Sequence, residues 1–145
     1  MVDIKEAGFA VWRAFGSRDA DAIRAVLTED ATWIAPAGNA TQVALGLPPD
    51  MLETREGIIA FLTQHFRRLF PDGAAFSFTR VIAEGDVIVF EQRMRGTTLE
   101  GRPYDNAYCW VFELDGARVR VIREYMDTLG GQRMIFGDAP ARRIA

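Results

Sequence analysis

The sequence predicts an α+β domain, with three helices packed on one face of a single sheet built as a meander of long strands. Three observations predict it. Apolar residues recur at helical spacing in the first part of the chain and again over residues 54–69. From residue 76 the pattern changes to strict alternation, the two-residue period of a strand. Within that region Asp115-Gly116 separates two alternating runs, and this pair readily adopts the positive-φ backbone of a tight hairpin.

Asp3 and Glu6 have capping-box spacing and open an amphipathic helix whose stripe holds Ile4, Gly8, Val11, Trp12 and Phe15 before it stops near Gly16. Asp19 caps a shorter helix that buries Ile23, Val26 and Leu27. Thr32-Trp33-Ile34 reads as a strand ended by Pro36 and Gly38, and residues 37–51 as a loop that serves as a lid or a site rim. Thr54 caps the third helix, with Ile58, Ile59, Leu62, Phe66 and Leu69 on its stripe and His65 at the stripe's edge. Pro71-Asp72-Gly73 ends it.

Phe76, Phe78 and Ile82 then alternate on one strand, and Ile88, Phe90, Gln92 and Met94 form the inward face of the next. The hairpin spans Gly101 to Thr128. Its first strand points Tyr104, Asn106, Tyr108, Trp110 and Phe112 one way, and its second points Ile122, Glu124 and Met126. Amide, phenol and carboxylate groups among aromatics predict a pocket wall, since an inert sheet core is more often aliphatic. Gly130-Gly131 breaks the pattern, Met134-Ile135-Phe136 is expected to dock as an apolar plug, and 137–145 is expected to be a loose tail.

A chain of 145 residues is expected to form a single domain. The net charge of -3 argues against a nucleic-acid partner, which leaves a basic footprint. The single cysteine, Cys109, is read as a small filler in a strand, compatible with a reducing compartment. No basic run leads into an apolar core, and no apolar stretch approaches the ~20 residues of a membrane span. The expectation is therefore a cytoplasmic protein with no membrane partner.

Among chemical candidates Glu124 leads. A carboxylate between Ile122 and Met126 on the interior face is desolvated, which raises its pKa toward the range of general acid-base work. The structural alternative pairs it with an arginine. Tyr108, Asn106 and Gln92 either aim polar groups at a ligand oxygen or form a satisfied network that fixes the sheet. Trp33, Phe90 and Met126 are read as ligand-binding lining, together with His65, which is otherwise a helix-edge residue. A lone histidine without companion ligands gives no metal constellation. No phosphate loop or nucleophile elbow appears, so neither metal nor cofactor is expected.

The stretch Glu29-Asp30-Ala31-Thr32-Trp33, and above all Arg123-Glu124-Tyr125-Met126-Asp127-Thr128, resembles the SnoaL-like, ketosteroid-isomerase-related branch of the nuclear transport factor 2-like superfamily. The resemblance runs from the first helix to about Phe136. It implies a cone, a strongly curved sheet wrapped around three helices with a pocket in the open end, often in a homodimer. Members include isomerases, polyketide cyclases, epoxide hydrolases, dehydratases and proteins without catalysis. Residue by residue the match is selective. The isomerases' general-base aspartate falls on Ala35, their helix-one tyrosine on Val11, and their oxyanion-binding acid on Tyr108. Of the limonene-epoxide-hydrolase pattern, Glu124 matches the last-strand carboxylate. The arginine and aspartate of that pattern fall on Gln92 and Met94, and its tyrosine and asparagine on Trp33 and Ala35. A one-residue slip would bring in Arg93, but it would also turn Phe90 outward.

These readings converge on a protein that holds a small, largely apolar, oxygen-bearing organic molecule and moves a proton through Glu124. The alternative is a ligand-binding or dimeric interaction module without catalysis. The outer sheet face, with Val87, Val89, Ala107, Cys109, Val111, Val121 and Tyr125, is expected to pair with its copy in a homodimer.

Overall fold

The computed structural model describes residues Met1–Ala145. Helix α1 (Ile4–Ser17) begins where Asp3 accepts a hydrogen bond from the Glu6 amide, as the capping spacing predicts. It ends on Arg18, which takes the left-handed conformation (φ 57°). Asp19 caps α2 (Ala20–Ala25) by accepting from the amides of Asp21 and Ala22. Strand β1 (Leu27–Ile34) starts five residues before the predicted Thr32, because Leu27 pairs with Val119 across an irregularity that the exposed Glu29 and Asp30 conceal in sequence.

Residues 37–51 are not a plain loop. Asn39 accepts from the Gln42 amide and starts α3 (Ala40–Leu45), which buries Ala44 and Leu45. A single 3₁₀ turn (Met51–Glu53) follows. Thr54 then caps α4 (Arg55–Ala60), which continues through a π-helical turn (Phe61–His65) into α5 (Phe66–Leu69). π turns of this kind concentrate at functional sites.

The sheet has the order β1-β5-β4-β3-β2 and curls without closing. β1 pairs with β5 in parallel, and the other pairs are antiparallel. Its remaining strands are β2 (Ala74–Glu84), β3 (Val87–Thr97), β4 (Pro103–Asp115) and β5 (Arg118–Met126). Gly116 sits at φ 62° in the predicted hairpin turn. Along β4 every second residue from Tyr104 to Leu114 is buried, the predicted phase. On β2 the phase fails. A register shift between Phe78 and Arg80 sends Ile82 to the outer face opposite Val89, while Val81 and Ala83 turn inward. Ile82 is consequently 53% exposed.

The C-terminal segment also departs from expectation. Asp127 accepts from the Gly130 amide and caps α6 (Thr128–Phe136), so the glycine pair lies inside a helix instead of ending the structure. Ile135 and Phe136 are buried as the predicted plug, and α6 packs against α3 and β4. Residues 137–145 form no helix or strand but are tied down at their end. The Ile144 and Ala145 amides donate to the Ala44 carbonyl, and Arg68 donates to the Ala145 carbonyl. No helix is long and apolar enough to cross a membrane.

Candidate functional site

Between the helices and the concave sheet face lies a cavity of about 460 Å³. That is the size range of small-molecule sites. α1 contributes Phe9, Trp12 and Phe15 to it, the π turn Phe61 and Leu62, and the strands Trp33, Phe76, Phe78, Met94, Tyr108, Trp110 and Glu124. A second hollow of about 640 Å³ shares Trp33, Ala35, Gln42 and Leu52 with it, but Glu53 is its only ionisable lining residue. The chemistry therefore concentrates in the first.

Glu124 is placed by alternation on β5 and lies directly across from Trp110 on β4. Trp33, on the other side of β5, donates its indole N–H to Glu124 Oε1 at 2.9 Å. Trp33 in turn stacks parallel to Phe15 and meets Trp110 edge to face, so the acceptor is held by a rigid aromatic frame. No cation pairs with the carboxylate. Burial pushes Glu124 up to about 7, and the Trp33 hydrogen bond draws it only partly back. Of the two roles open at the sequence level, the arginine-paired one is thus not what the geometry builds.

Tyr108 stacks on Trp110 and shares a 2.5 Å hydroxyl–hydroxyl hydrogen bond with Tyr104. Burial raises both phenols above their ordinary pKa, so both stay protonated through neutral pH. Asn106 donates to Tyr104 at 3.1 Å and to the Asp127 carbonyl at 3.0 Å. The result is a buried polar chain from Asn106 through Tyr104 to Tyr108, and only Tyr108 reaches the cavity.

Trp33, Tyr108 and Glu124 therefore meet on one cavity, and the other predicted site residues do not line it. Phe90 is fully buried behind the lining, packed edge-on to Phe9 and Trp12. Gln92 accepts from the Trp110 indole at 2.7 Å and orients that ring from behind. Asn106 supports Tyr104, as described above. Met126 pairs with Tyr108 across the strands and packs against the core. His65 faces Arg68, whose Nη1 lies 2.7 Å from its Nδ1. Burial, then Arg68, holds that imidazole below its ordinary pKa. Alternation assigns a face, whereas the curl of the sheet decides how far along each strand the lining extends. Arg93 lies on the outer face, paired with Asp105 at 2.6 Å, which removes the slipped register.

Sequence reasoning did not assign Trp12, Arg18, Phe61, Arg67 or Met94 to the site, yet all line the cavity. Trp12 and Phe61 could have been found as large aromatics on helix stripes. Arg18 and Arg67 leave no periodic signal. Nowhere do three His, Cys, Asp or Glu side chains gather as a metal site requires.

The model of the SnoaL-like domain family matches residues 9–122, most of the chain. The chain belongs to the SnoaL-like family. No curated protein sequence matches it. Among solved structures it is similar to an NTF2-like protein of unknown function from Burkholderia pseudomallei, at 21% identity and a TM-score of 0.76, covering 93% of this chain and 98% of that one. It is also similar to TerC co-crystallised with polyporic acid, at 22% identity and a TM-score of 0.73, covering 91% and 97%. An LEH-like epoxide hydrolase from M. tuberculosis follows at 19% identity and a TM-score of 0.67, covering 90% and 86%. At these identities the likeness establishes the NTF2-like fold alone. This SnoaL-like chain keeps the fold with Ala35 and Met94 as apolar lining of its cavity.

Proposed function

We propose that this SnoaL-like protein binds a small, largely apolar, oxygen-bearing organic molecule and catalyses a cofactor-free proton transfer on it, as in isomerisation, cyclisation, dehydration or hydration. The observation that carries the reading is Glu124, a carboxyl on an aromatic cavity wall whose pKa lies at about 7. A group poised there takes and returns a proton with little bias at neutral pH. Trp33 occupies Oε1, leaving Oε2 for the ligand. In this reading the carboxylate removes a proton from carbon next to a carbonyl, the electron pair moves onto the carbonyl oxygen, and the Tyr108 hydroxyl donates to the enolate. Asn106 donating to Tyr104 polarises that hydroxyl to donate onward, which frees the Tyr108 proton for the ligand. The fold's occurrence in an epoxide hydrolase, and in TerC co-crystallised with polyporic acid, supports a small-molecule ligand. The second reading, a binder without catalysis, is favoured by Ala35 and Met94 standing where the catalytic relatives' pattern has polar groups.

Deuterium exchange into cyclic ketones in heavy water, followed by proton NMR, tests the catalytic reading. Wild-type protein is expected to accelerate exchange with a rate that rises through pH ~7, and Glu124→Gln to lose at least ~100-fold of it. Equal rates for the two proteins would leave only the binder.

We further infer a homodimer through the outer sheet face. On the outer sheet face Ile82, 53% exposed, lies beside Val89 and Val111, and Tyr125, 55% exposed, lies beside Cys109. Arg120, Arg123 and Glu113 pair at its rim. Sedimentation is expected to give a dimer at micromolar concentration for the wild type and a monomer for Val111→Glu. A monomeric wild type overturns the assignment.

A further inference from the structure

We propose that the ligand is anionic, an apolar body bearing a carboxylate or similarly charged oxygens, and that Arg18 and Arg67 grip that charge at the cavity's edge. This rests on the small-molecule reading of the same cavity and narrows it to a substrate class. Both arginines line the cavity, and no carboxylate lies within ion-pair distance of either. Arg13, which also lines the cavity, is by contrast paired with Glu6.

Arg18 is held against its own interest in three ways. Its Nη1 is buried with no hydrogen-bond partner in the protein. Its backbone sits at φ 57°, where a helix usually ends in glycine. The like charge of Arg67 is close enough to depress the pKa of Arg18 after burial has already done so, and the Phe66 ring, 5.8 Å from the guanidinium, compensates only in part. Buried donors are almost always paired, and each exception asks for an explanation. A second orphan donor, Trp12 Nε1, stands on the same wall. No buried acceptor of the wall is left without a partner. Two buried donors of the wall are thus without an acceptor, and two arginines without a counter-charge at ion-pair distance, and an oxyanion supplies both. Asp72 also lines the cavity, but it lies within ion-pair distance of neither arginine.

The geometry also suits the chemistry at Glu124. An anion held by two arginines orients the apolar body toward the strands, where Tyr108 and Glu124 stand.

Calorimetric titration with naphthoate and its uncharged isostere naphthamide tests the inference. Wild-type protein is expected to bind the acid at least ~10-fold more tightly than the amide, the worth of one charge-assisted hydrogen bond. Arg18→Gln and Arg67→Gln should each shrink that ratio several-fold, and together bring it to about 1. Rising salt should weaken the acid and leave the amide unchanged. Both substitutions remove an unpaired charge, so melting points should hold or rise, and the exposed Arg67 gives a second variant if Arg18→Gln folds poorly. Equal affinity for acid and amide in the wild type, or a preference that survives in the double variant, overturns the anion assignment while leaving the pocket intact. If neither probe binds, the small-molecule reading falls with it.

Discussion

Between pH 4.5 and 8 the wild-type protein is expected to lose stability that the Glu124→Gln variant keeps. Glu124 ionises at its ordinary value of 4.5 in the unfolded chain and at about 7 in the folded one. Below 4.5 the carboxyl is protonated in both states, and its contribution is fully present. As pH rises through the window the unfolded chain releases the proton first, so stability falls by ~1.4 kcal/mol per pH unit and levels off above the folded value. The swing is about 3 kcal/mol at most, because solvent entering the cavity softens the burial penalty. His65 acts in the opposite sense, since its depressed pKa makes stability rise with pH below its ordinary 6.5. The difference between the two proteins cancels that contribution. Urea denaturation at successive pH values measures it, and parallel profiles for wild type and variant would mean that Glu124 is not desolvated.

Gly57→Ala should destabilise the protein by about 3 kcal/mol or more and lower its melting midpoint by roughly 10 °C. On propensity alone the sign is the reverse, since alanine in a helix is favoured over glycine by about 1 kcal/mol. Tertiary contact decides the matter. A Cβ at Gly57 would lie 1.7 Å from the Met51 carbonyl oxygen, a backbone atom that cannot rotate away. The 3₁₀ turn would have to lift from α4, carrying with it Leu52, which is 4% exposed and lines the cavity. Gly16→Ala in α1 is the control. Nothing lies within 4 Å of its Cβ position, so that variant should match or exceed the wild type. If thermal unfolding shows both substitutions to be stabilising, the close approach of the turn to α4 is wrong.

Much of this protein is determined by the sequence alone, wherever the signal is local. Asp3, Asp19 and Thr54 cap their helices because a cap needs only a side-chain oxygen and an amide two or three residues on. Tyr108 and Glu124 face inward because the pleat alternates whatever the partner strand does. Local signals also misled. Gly130-Gly131 reads as a breaker, yet Asp127 caps a helix through it, since docking Ile135 and Phe136 outweighs the weak propensity of two glycines.

What only the tertiary structure decided is depth and company. Phe90, Gln92 and Asn106 share the inward phase of Tyr108, but curvature leaves them behind the lining while Tyr108 reaches it. One bulge on β2 was enough to turn Ile82 to the outside. Arg18 and Arg67, 49 positions apart in a sequence with 17 basic residues, are brought to the same cavity only by the tertiary fold, which sets Arg18 over the Phe66 ring beside Arg67. Periodicity fixes direction within one element. Distance between elements depends on how the sheet bends and what packs against it, and no single segment encodes that.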